Sequence, residues 1–260
     1  SGEKTEYTYD RLVIATGASP AVLPIPGKDL SGVFKMRTPD DAVTMRSYVE
    51  EQNVKKAVVI GAGFIGLEVA ENLKAKGVKV AVIDFADQLL PNIVDYEIAL
   101  YIKKHLLKEG IRVITGTKGE EILGTKRVSA IRTSAGTLNC EMVVMAAGIR
   151  PNTAFLDGTG IEMFKGTIKV DSSLKTTVDD IYAVGDCAMV TNRITKEPQW
   201  SPMGSSANME GRTLAQILAG EKKAYPGVLG TGVVKLPHLN CGRTGLTEAQ
   251  AKAAGYDVIT

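Results

Sequence analysis

The stretch at residues 57–84, AVVIGAGFIGLEVAENLKAKGVKVAVID, decides the fold expected for this chain. An apolar, strand-like run at 57–60 leads into a glycine-rich turn, a helical stretch extends to Lys76, and a second apolar strand ends on Asp84. Together these parts make a complete βαβ unit, the arrangement that binds dinucleotides. The turn itself consists of Gly61, Ala62, Gly63, Phe64, Ile65 and Gly66. The stretch therefore predicts a nucleotide-binding α/β domain, with a coincidental glycine turn as the alternative.

Each glycine of the turn has its own expected role. Gly61 allows the tight turn, Gly63 lets backbone N–H groups approach a pyrophosphate, and Gly66 lets the helix pack close to its strand. Asp84 ends the second strand, where its carboxylate can accept hydrogen bonds from the adenine ribose hydroxyls. That carboxylate would repel the 2′-phosphate of NADPH, and residues 85–87 contain no Arg or Lys to accept it. NADH is therefore the expected cofactor.

Composition and charge exclude several other classes of protein. With 260 residues, 44% of them hydrophobic, the chain can form one large domain or two ordinary ones. Its 31 basic and 29 acidic residues nearly cancel, so nucleic acid is not an expected partner. No apolar run approaches the roughly 20 residues of a membrane span, and the first residues do not resemble a signal peptide, so a cytoplasmic protein is expected. The three cysteines include no CxxC pair and indicate no metal site.

The sequence predicts two further helices around the βαβ stretch. The first begins at Thr38-Pro39-Asp40-Asp41, with a threonine N-cap, proline at the first helical position and an acid at the third, and runs to about Gln52. The second is capped by Asp95 and runs to Glu109. The side of this helix that packs on the sheet is expected to carry Ile98, Ile102 and Leu106.

A group of short strands is predicted after the second helix. Residues 111–114 indicate a parallel strand, and turn residues separate three further β-type runs at 120–123, 127–133 and 137–145. These three runs predict an antiparallel meander whose last strand, at 143–146, re-enters the main sheet.

Three separated motifs resemble those of one family. Residues 12–17, LVIATG, resemble the ATG strand of the flavin-dependent pyridine nucleotide-disulfide oxidoreductases. Residues 146–152, AAGIRPN, resemble its counterpart at the end of the nicotinamide domain, and residues 181–188, IYAVGDCA, resemble the strand whose Asp bonds the ribityl chain of FAD. Residues 244–248, TGLTE, look like the start of the family's dimerisation domain. The branch it resembles most contains CoA-disulfide reductases and NADH oxidases.

The resemblance implies a domain layout. Residues 1–31 and 152–228 would be parts of an FAD-binding domain, 32–151 the inserted NAD-binding domain, and 229–260 the start of the dimerisation domain. The implied fold is α/β, with a Rossmann-like NAD-binding domain that has a parallel sheet and an antiparallel β-meander, plus a partial FAD-binding domain of similar type. The family's first glycine-rich turn and its redox cysteine do not precede Ser1. The chain is therefore expected to be a piece of a longer, homodimeric protein.

The resemblance also assigns cofactor contacts. NADH would be held by the glycine-rich turn, by Asp84 and by Gly148. Asn208 and Arg212 match a family helix that packs near the flavin. The residues expected to contact FAD in the full-length protein are Ala15, Thr16, Gly17, Gly185, Asp186 and Asn208.

Glu68 is the candidate catalytic side chain. In the family, a carboxylate two residues beyond the last glycine of the turn lies near the flavin and the nicotinamide. The alternative is a first-turn acid favoured by the helix dipole. Asp186 has a similar alternative, since it follows a glycine at the end of a β-type run and could be a turn residue only.

The cysteines and histidines are expected to be structural. Cys187 is flanked by small residues and an acid, whereas a reactive thiolate needs positive neighbours, so a small buried residue is expected. Cys140 and Cys241 do not lie where the family keeps its redox cysteine, which is expected to be absent from this chain. His105 and His238 are expected to be surface or packing residues.

The function expected for the parent protein is that of a flavoenzyme. It would take hydride from NADH and pass electrons through FAD to a disulfide, a polysulfide or oxygen. The piece in hand is expected to be inactive alone and to bind little FAD. One alternative is a ferredoxin- or rubredoxin-reductase-like electron carrier. The other is a nucleotide-binding module without activity.

Overall fold

The computed structural model describes residues 4–91 and 93–260. The chain forms two compact units, a larger one of Pro20–Ile149 with Thr231–Thr260 and a smaller one of Arg150–Gly230 with the described part of Ser1–Ser19. The first strands in chain order are β1 Leu12–Ile14, β2 Ala18–Pro20, β3 Val33–Lys35, β4 Lys56–Ile60, β5 Lys79–Ile83, β6 Arg112–Ile114, β7 Gly119–Gly124, β8 Val128–Thr133, β9 Gly136–Asn139 and β10 Met142–Met145. The later strands are β11 Ile149–Pro151, β12 Met163–Phe164, β13 Thr167–Lys169, β14 Ile181–Ala183, β15 Ala188–Thr191, β16 Pro198–Gln199, β17 Gly232–Leu236 and β18 Leu239–Arg243. The α-helices are α1 Pro39–Glu51, α2 Phe64–Ala75, α3 Tyr96–Lys108, α4 Gly204–Leu218 and α5 Glu248–Ala253.

A parallel sheet in the order β3-β10-β4-β5-β6 forms the centre of the larger unit. The strands β4 and β10 are almost wholly buried and read as continuous apolar runs, which is typical of parallel strands covered on both faces. Residues of α2 and α3 pack on one face, in a cluster with Val59 and Val82. The α/β fold class and the parallel sheet expected from the sequence are confirmed.

The other face of the sheet is covered by the antiparallel meander β7-β8-β9. Ile122 and Ile131 of the meander pack there against Ile60 and Ile83. The predicted run at 137–145 is in fact two strands, because the chain leaves the meander at Cys140 and enters the central sheet as β10.

The first predicted helix start is confirmed by α1. Thr38 is the N-cap, and it forms a capping box in which the Thr38 N–H donates to the Asp41 carboxylate at 2.8 Å and the Asp41 N–H donates to the Thr38 hydroxyl at 3.4 Å. The bond from the Thr38 N–H, with smaller contributions from the Arg37 N–H and the Thr38 hydroxyl, lowers the pKa of Asp41, because each of these bonds favours the charged carboxylate.

The predicted details of α3 were wrong in two respects. Asp95 occupies the N-cap position but makes no capping bond, because its carboxylate accepts the Glu248 N–H at 3.0 Å instead. The buried positions are Ala99, Ile102 and Leu106, whereas Ile98 is 50% exposed. The small Ala99 side chain therefore faces the sheet where Ile98 was expected.

Residues 231–260 belong to the larger unit. Val234 and Leu236 of the β17–β18 hairpin are buried in the same cluster as Leu67 and Val69 of α2. The His105 ring contacts the Pro237 carbonyl oxygen at 2.5 Å. The C-terminal segment thus packs on the helices that cover the sheet.

The smaller unit contains a parallel β1–β14 pair and the sheet β12-β13-β15-β16. Ile14, Ile168 and Ala183 lie in one of its apolar clusters, and Leu214 of α4 lies in a second. Among the described residues, none of the helices combines the length and apolarity that a membrane crossing requires.

Candidate functional site

Gly61 makes the sharp turn that ends β4. Its φ of +114° lies in a region that side chains with a Cβ rarely adopt. A Cβ at this position would lie 2.2 Å from the Ala146 carbonyl oxygen, at the end of the neighbouring strand β10. The Gly61 N–H donates to Ile83 O at 2.8 Å and the Ala146 N–H donates to Ile60 O at 2.8 Å, so the end of β4 is tied to both neighbouring strands.

Gly66 brings α2 close to the turn. A Cβ there would lie 1.9 Å from Gly61 O and 3.3 Å from a methyl carbon of Val59. The next residue, Leu67, is fully buried beneath the helix. Hydrogen in place of a side chain at Gly66 therefore sets the distance between the helix and the end of its strand.

Gly63 differs from the other two glycines because nothing fills the space above it. No atom lies within 4 Å of the position that its Cβ would take, and its φ of −83° is ordinary. Gly63 is also the N-cap of α2 and makes no side-chain capping bond. The first-turn N–H groups of a helix have no partner within the helix and favour an anion. The open space and these donors fit a pyrophosphate.

Asp84 has a role in the turn that sequence analysis missed. Its carboxylate is only 9% exposed and accepts the Ala62 N–H at 2.6 Å through Oδ2 and the Ala86 N–H at 2.9 Å through Oδ1. The Leu90 N–H in turn donates to Ala62 O at 2.9 Å. Asp84 therefore holds the glycine-rich turn and the following loop together. A carboxylate has about four lone-pair sites, so two remain for a ligand.

Glu68 lies on the exposed side of α2. Its Oε1 accepts the Lys235 N–H of β17 at 3.3 Å, and the Lys235 ammonium lies 3.5 Å from the Glu71 carboxylate. Glu68 thus faces the C-terminal hairpin.

Gly148, which was assigned to NADH by resemblance, has a φ of +103°, and its carbonyl oxygen accepts the Ala21 N–H at 2.9 Å.

In the smaller unit, two of the motifs found in the sequence lie side by side. Thr16 donates through its hydroxyl to Asn152 O at 2.7 Å, and the Asn152 amide donates to Thr16 O at 2.9 Å. The Asn152 N–H also donates to Gly17 O at 2.9 Å. Ala15, at the end of β1, precedes this arrangement.

The third motif, at residues 181–188, consists of β14 and the turn that follows it. Gly185 has a φ of +77° and begins the 3-10 turn Gly185–Cys187. The Val184 N–H donates to Ile14 O at 3.0 Å, which places Asp186 just beyond the carboxyl ends of β1 and β14. Asn208 is exposed on α4.

Glu210 is the residue of this region that sequence analysis did not identify. It is 2% exposed on α4, and its Oε2 accepts the Gly185 N–H at 2.6 Å. Burial, with a smaller contribution from the Asp186 charge, raises the pKa of Glu210 to about 7. The signal available in the sequence was an acid in the apolar face of a helix, four positions before Leu214.

The cysteines fit their structural interpretation. Cys187 is fully buried and its thiol contacts Val184 O at 3.3 Å and Ile14 O at 3.6 Å. Burial raises the pKa of Cys140 to about 12 and raises that of Cys241 as well. Each of these two thiols is therefore protonated near neutral pH. Within the described ranges, no cluster of His, Cys, Asp and Glu could hold a metal ion.

Comparisons with known proteins agree with this geometry. The family model described as pyridine nucleotide-disulphide oxidoreductase matches residues 1–208. An NADH oxidase from Methanocaldococcus jannaschii is 43% identical over 99% of this chain and 58% of its own length. The solved NAD-dependent persulfide reductase from A. fulgidus is 37% identical with a TM-score of 0.91, over 96% of this chain and 46% of the other.

A pair of related structures concerns cofactor choice. The water-forming NADH oxidase from Lactobacillus brevis, solved with NADH, is 28% identical with a TM-score of 0.88, over 96% of this chain and 55% of the other. An engineered form that is an NADPH oxidase, solved with NADPH, is 27% identical with a TM-score of 0.89, over 96% of this chain and 56% of the other. The chain spans less than two thirds of each of these relatives. By the extent of the family match and the identity to these relatives, it belongs to the pyridine nucleotide-disulphide oxidoreductase family.

Proposed function

We propose that the larger unit binds NADH at the glycine-rich turn. The open space above Gly63, at the N-terminus of α2, carries this proposal, because it is the place where backbone donors and room for a pyrophosphate coincide. Gly61 and Gly66 shape the turn, and Ala62, Phe64 and Ile65 complete its backbone. Gly148 is a further proposed contact. When bound, the dinucleotide would supply the hydride.

Asp84 is proposed to select NADH over NADPH. The engineered Lactobacillus brevis oxidase has changes at a glycine, at an aspartate eighteen residues later, at the two residues after that aspartate, and at a proline seven residues after it. Gly66, Asp84 and Pro91 have the same spacing here. The engineered form loses the aspartate and gains two arginines. Positive charge close to this position suits the 2′-phosphate of NADPH, whereas the carboxylate of Asp84 would repel it.

Replacing Asp84 with alanine tests this selection. We expect wild type to bind NADH more tightly than NADPH. We expect Asp84→Ala to weaken NADH binding and to narrow the difference between the two affinities. The variant should also lose roughly 1–3 kcal/mol of unfolding free energy, because the buried Ala62 N–H and the partly buried Ala86 N–H lose their acceptor. Calorimetric titration of both cofactors and urea unfolding measure the two effects.

The matched control is Asp87→Ala, which removes an exposed carboxylate from the same loop. It should leave both the stability and the preference for NADH unchanged. Tighter binding of NADPH than of NADH by the wild type would contradict the role proposed for Asp84.

For the smaller unit, we infer a contribution to flavin binding. The proposed contacts are Ala15, Thr16, Gly17, Gly185, Asp186 and Asn208. The main support is the position of Asp186 beyond the carboxyl ends of two parallel strands, where ligands of open α/β sheets bind.

We also propose that residues 1–31 and 152–228 are the FAD-domain segments, with 229–260 opening a dimerisation domain of a cytoplasmic homodimer.

The whole protein is proposed to be an NADH-dependent flavoenzyme. Bound FAD would accept hydride from NADH and deliver two electrons to the final acceptor. Relatives named NADH oxidase and persulfide reductase support oxygen or a sulfur compound as that acceptor. Glu68 remains the proposed acidic side chain near the reacting rings, and its proposed role does not depend on any cysteine of this chain.

A further inference from the structure

The turn at Gly185–Cys187 is held by a carboxyl group from a distant part of the chain. Glu210 of α4 is almost fully buried, and its Oε2 accepts the Gly185 N–H at 2.6 Å. Gly185 is in the left-handed region, with a φ of +77°. The bond to Glu210 therefore holds Gly185 in the conformation that sets the direction of the backbone at Asp186.

The other end of the turn is fixed by an indole. Trp200 donates through Nε1 to the Asp186 carbonyl oxygen at 2.8 Å. Trp200 is the one tryptophan of the chain. Its fluorescence therefore reports the environment of the Asp186 backbone without interference from another indole.

Two titratable groups face the Glu210 carboxyl group. Tyr225 hydrogen-bonds to it from the segment that follows α4, and the Asp186 carboxylate repels it from the turn. Burial raises the pKa of Glu210 to about 7 and that of Tyr225 to about 12. Tyr225 therefore stays protonated in the range in which Glu210 changes its charge. The bond from Gly185 is charge-assisted only when Glu210 is ionised.

We propose that Glu210 is a positioning residue for the flavin-binding turn, which holds Gly185 and thereby places Asp186, and that gain or loss of its proton changes this placement. The flavin part of this statement rests on the function proposed above for Asp186. The coupling between Glu210 and the turn involves only residues of this chain and does not require bound flavin.

The test is the fluorescence of Trp200 as a function of pH, without any flavin. We expect wild type to show one transition in emission with its midpoint near pH 7, and Glu210→Gln to show none between about pH 5 and about pH 9. Glutamine keeps an oxygen that can accept the Gly185 N–H but carries no titrating proton. Glu221→Gln, an exposed acid in the same unit, is the matched control and should keep the wild-type transition.

Thermal unfolding gives a second measurement. Folding raises the pKa of Glu210 from its ordinary value of 4.5, so the folded state binds the proton more tightly. The contribution of this group is therefore favourable at low pH and is lost as the pH rises from 4.5 to about 7. Glu210→Gln should gain in melting temperature relative to wild type at pH values above this window, and Glu221→Gln should not.

Two results would overturn the proposal. One is a transition near pH 7 that persists in Glu210→Gln, which would assign the proton to another group. The other is a wild-type emission that does not change with pH while the melting temperature of Glu210→Gln follows that of wild type. Neither measurement uses flavin, so either failure would count against Glu210 and leave the flavin-binding proposal standing.

Discussion

Replacing Gly61 with alanine is expected to destabilise the larger unit by roughly 3 kcal/mol or more. Two costs add at this position. The φ of +114° is strained for any residue with a Cβ, and the new methyl group would lie 2.2 Å from the Ala146 carbonyl oxygen. That oxygen belongs to the backbone at the end of a central strand, so it cannot move aside without disturbing the sheet. Urea unfolding of wild type and variant measures the loss.

Gly136 provides a matched control for the strain alone. Its φ of +112° is almost the same, but no atom lies within 4 Å of the position that its Cβ would take. Gly136→Ala should therefore cost only about 1–2 kcal/mol. Equal losses of unfolding free energy in the two variants would show that the approach of the new methyl group to Ala146 O adds no cost beyond the backbone strain.

Gly63→Ala is expected to leave the fold intact and to weaken NADH binding. The φ of −83° suits alanine, and the new methyl group meets no protein atom within 4 Å, so the unfolding free energy should change by less than about 0.5 kcal/mol. The methyl group would instead occupy the space proposed for the pyrophosphate. A displacement of that kind should cost about 2 kcal/mol, or roughly thirtyfold in affinity.

Calorimetric titration of NADH into folded Gly63→Ala measures this effect, with urea unfolding as the check on stability. The contrast with Gly61→Ala is informative, because two glycines separated by one residue are expected to fail in different ways. Unchanged NADH affinity in Gly63→Ala would mean that the pyrophosphate does not approach this part of the turn.

The local parts of the fold could be predicted because their causes are local. The βαβ unit depends on apolar runs and glycines within 28 consecutive residues, and the capping box of α1 depends on residues three positions apart. Short-range patterns of this kind do not need a tertiary partner to be recognised. The same holds for the antiparallel meander, which connects neighbouring strands through short turns.

The parts that could not be predicted depend on distant partners. The Asp95 side chain makes no capping bond because its carboxylate accepts the backbone N–H of Glu248, which lies 153 residues further along the chain. Glu210 is identifiable only once the fold brings it to Gly185, 25 residues away. Asp84 was correctly placed at a strand end, but its bonds to the backbone of Ala62 and Ala86 follow from the folded turn.

The most direct test of NADH binding at the glycine-rich turn is a map of the backbone amides that respond to it. In a ¹H–¹⁵N correlation spectrum of the full chain titrated with NADH, the largest shifts are predicted for the amides of Gly63, Phe64 and Ile65. Shifts of Ala62 and Ala86 should follow, because both donate to Asp84. No response at the N-terminus of α2, with shifts concentrated elsewhere in the chain, would contradict the account.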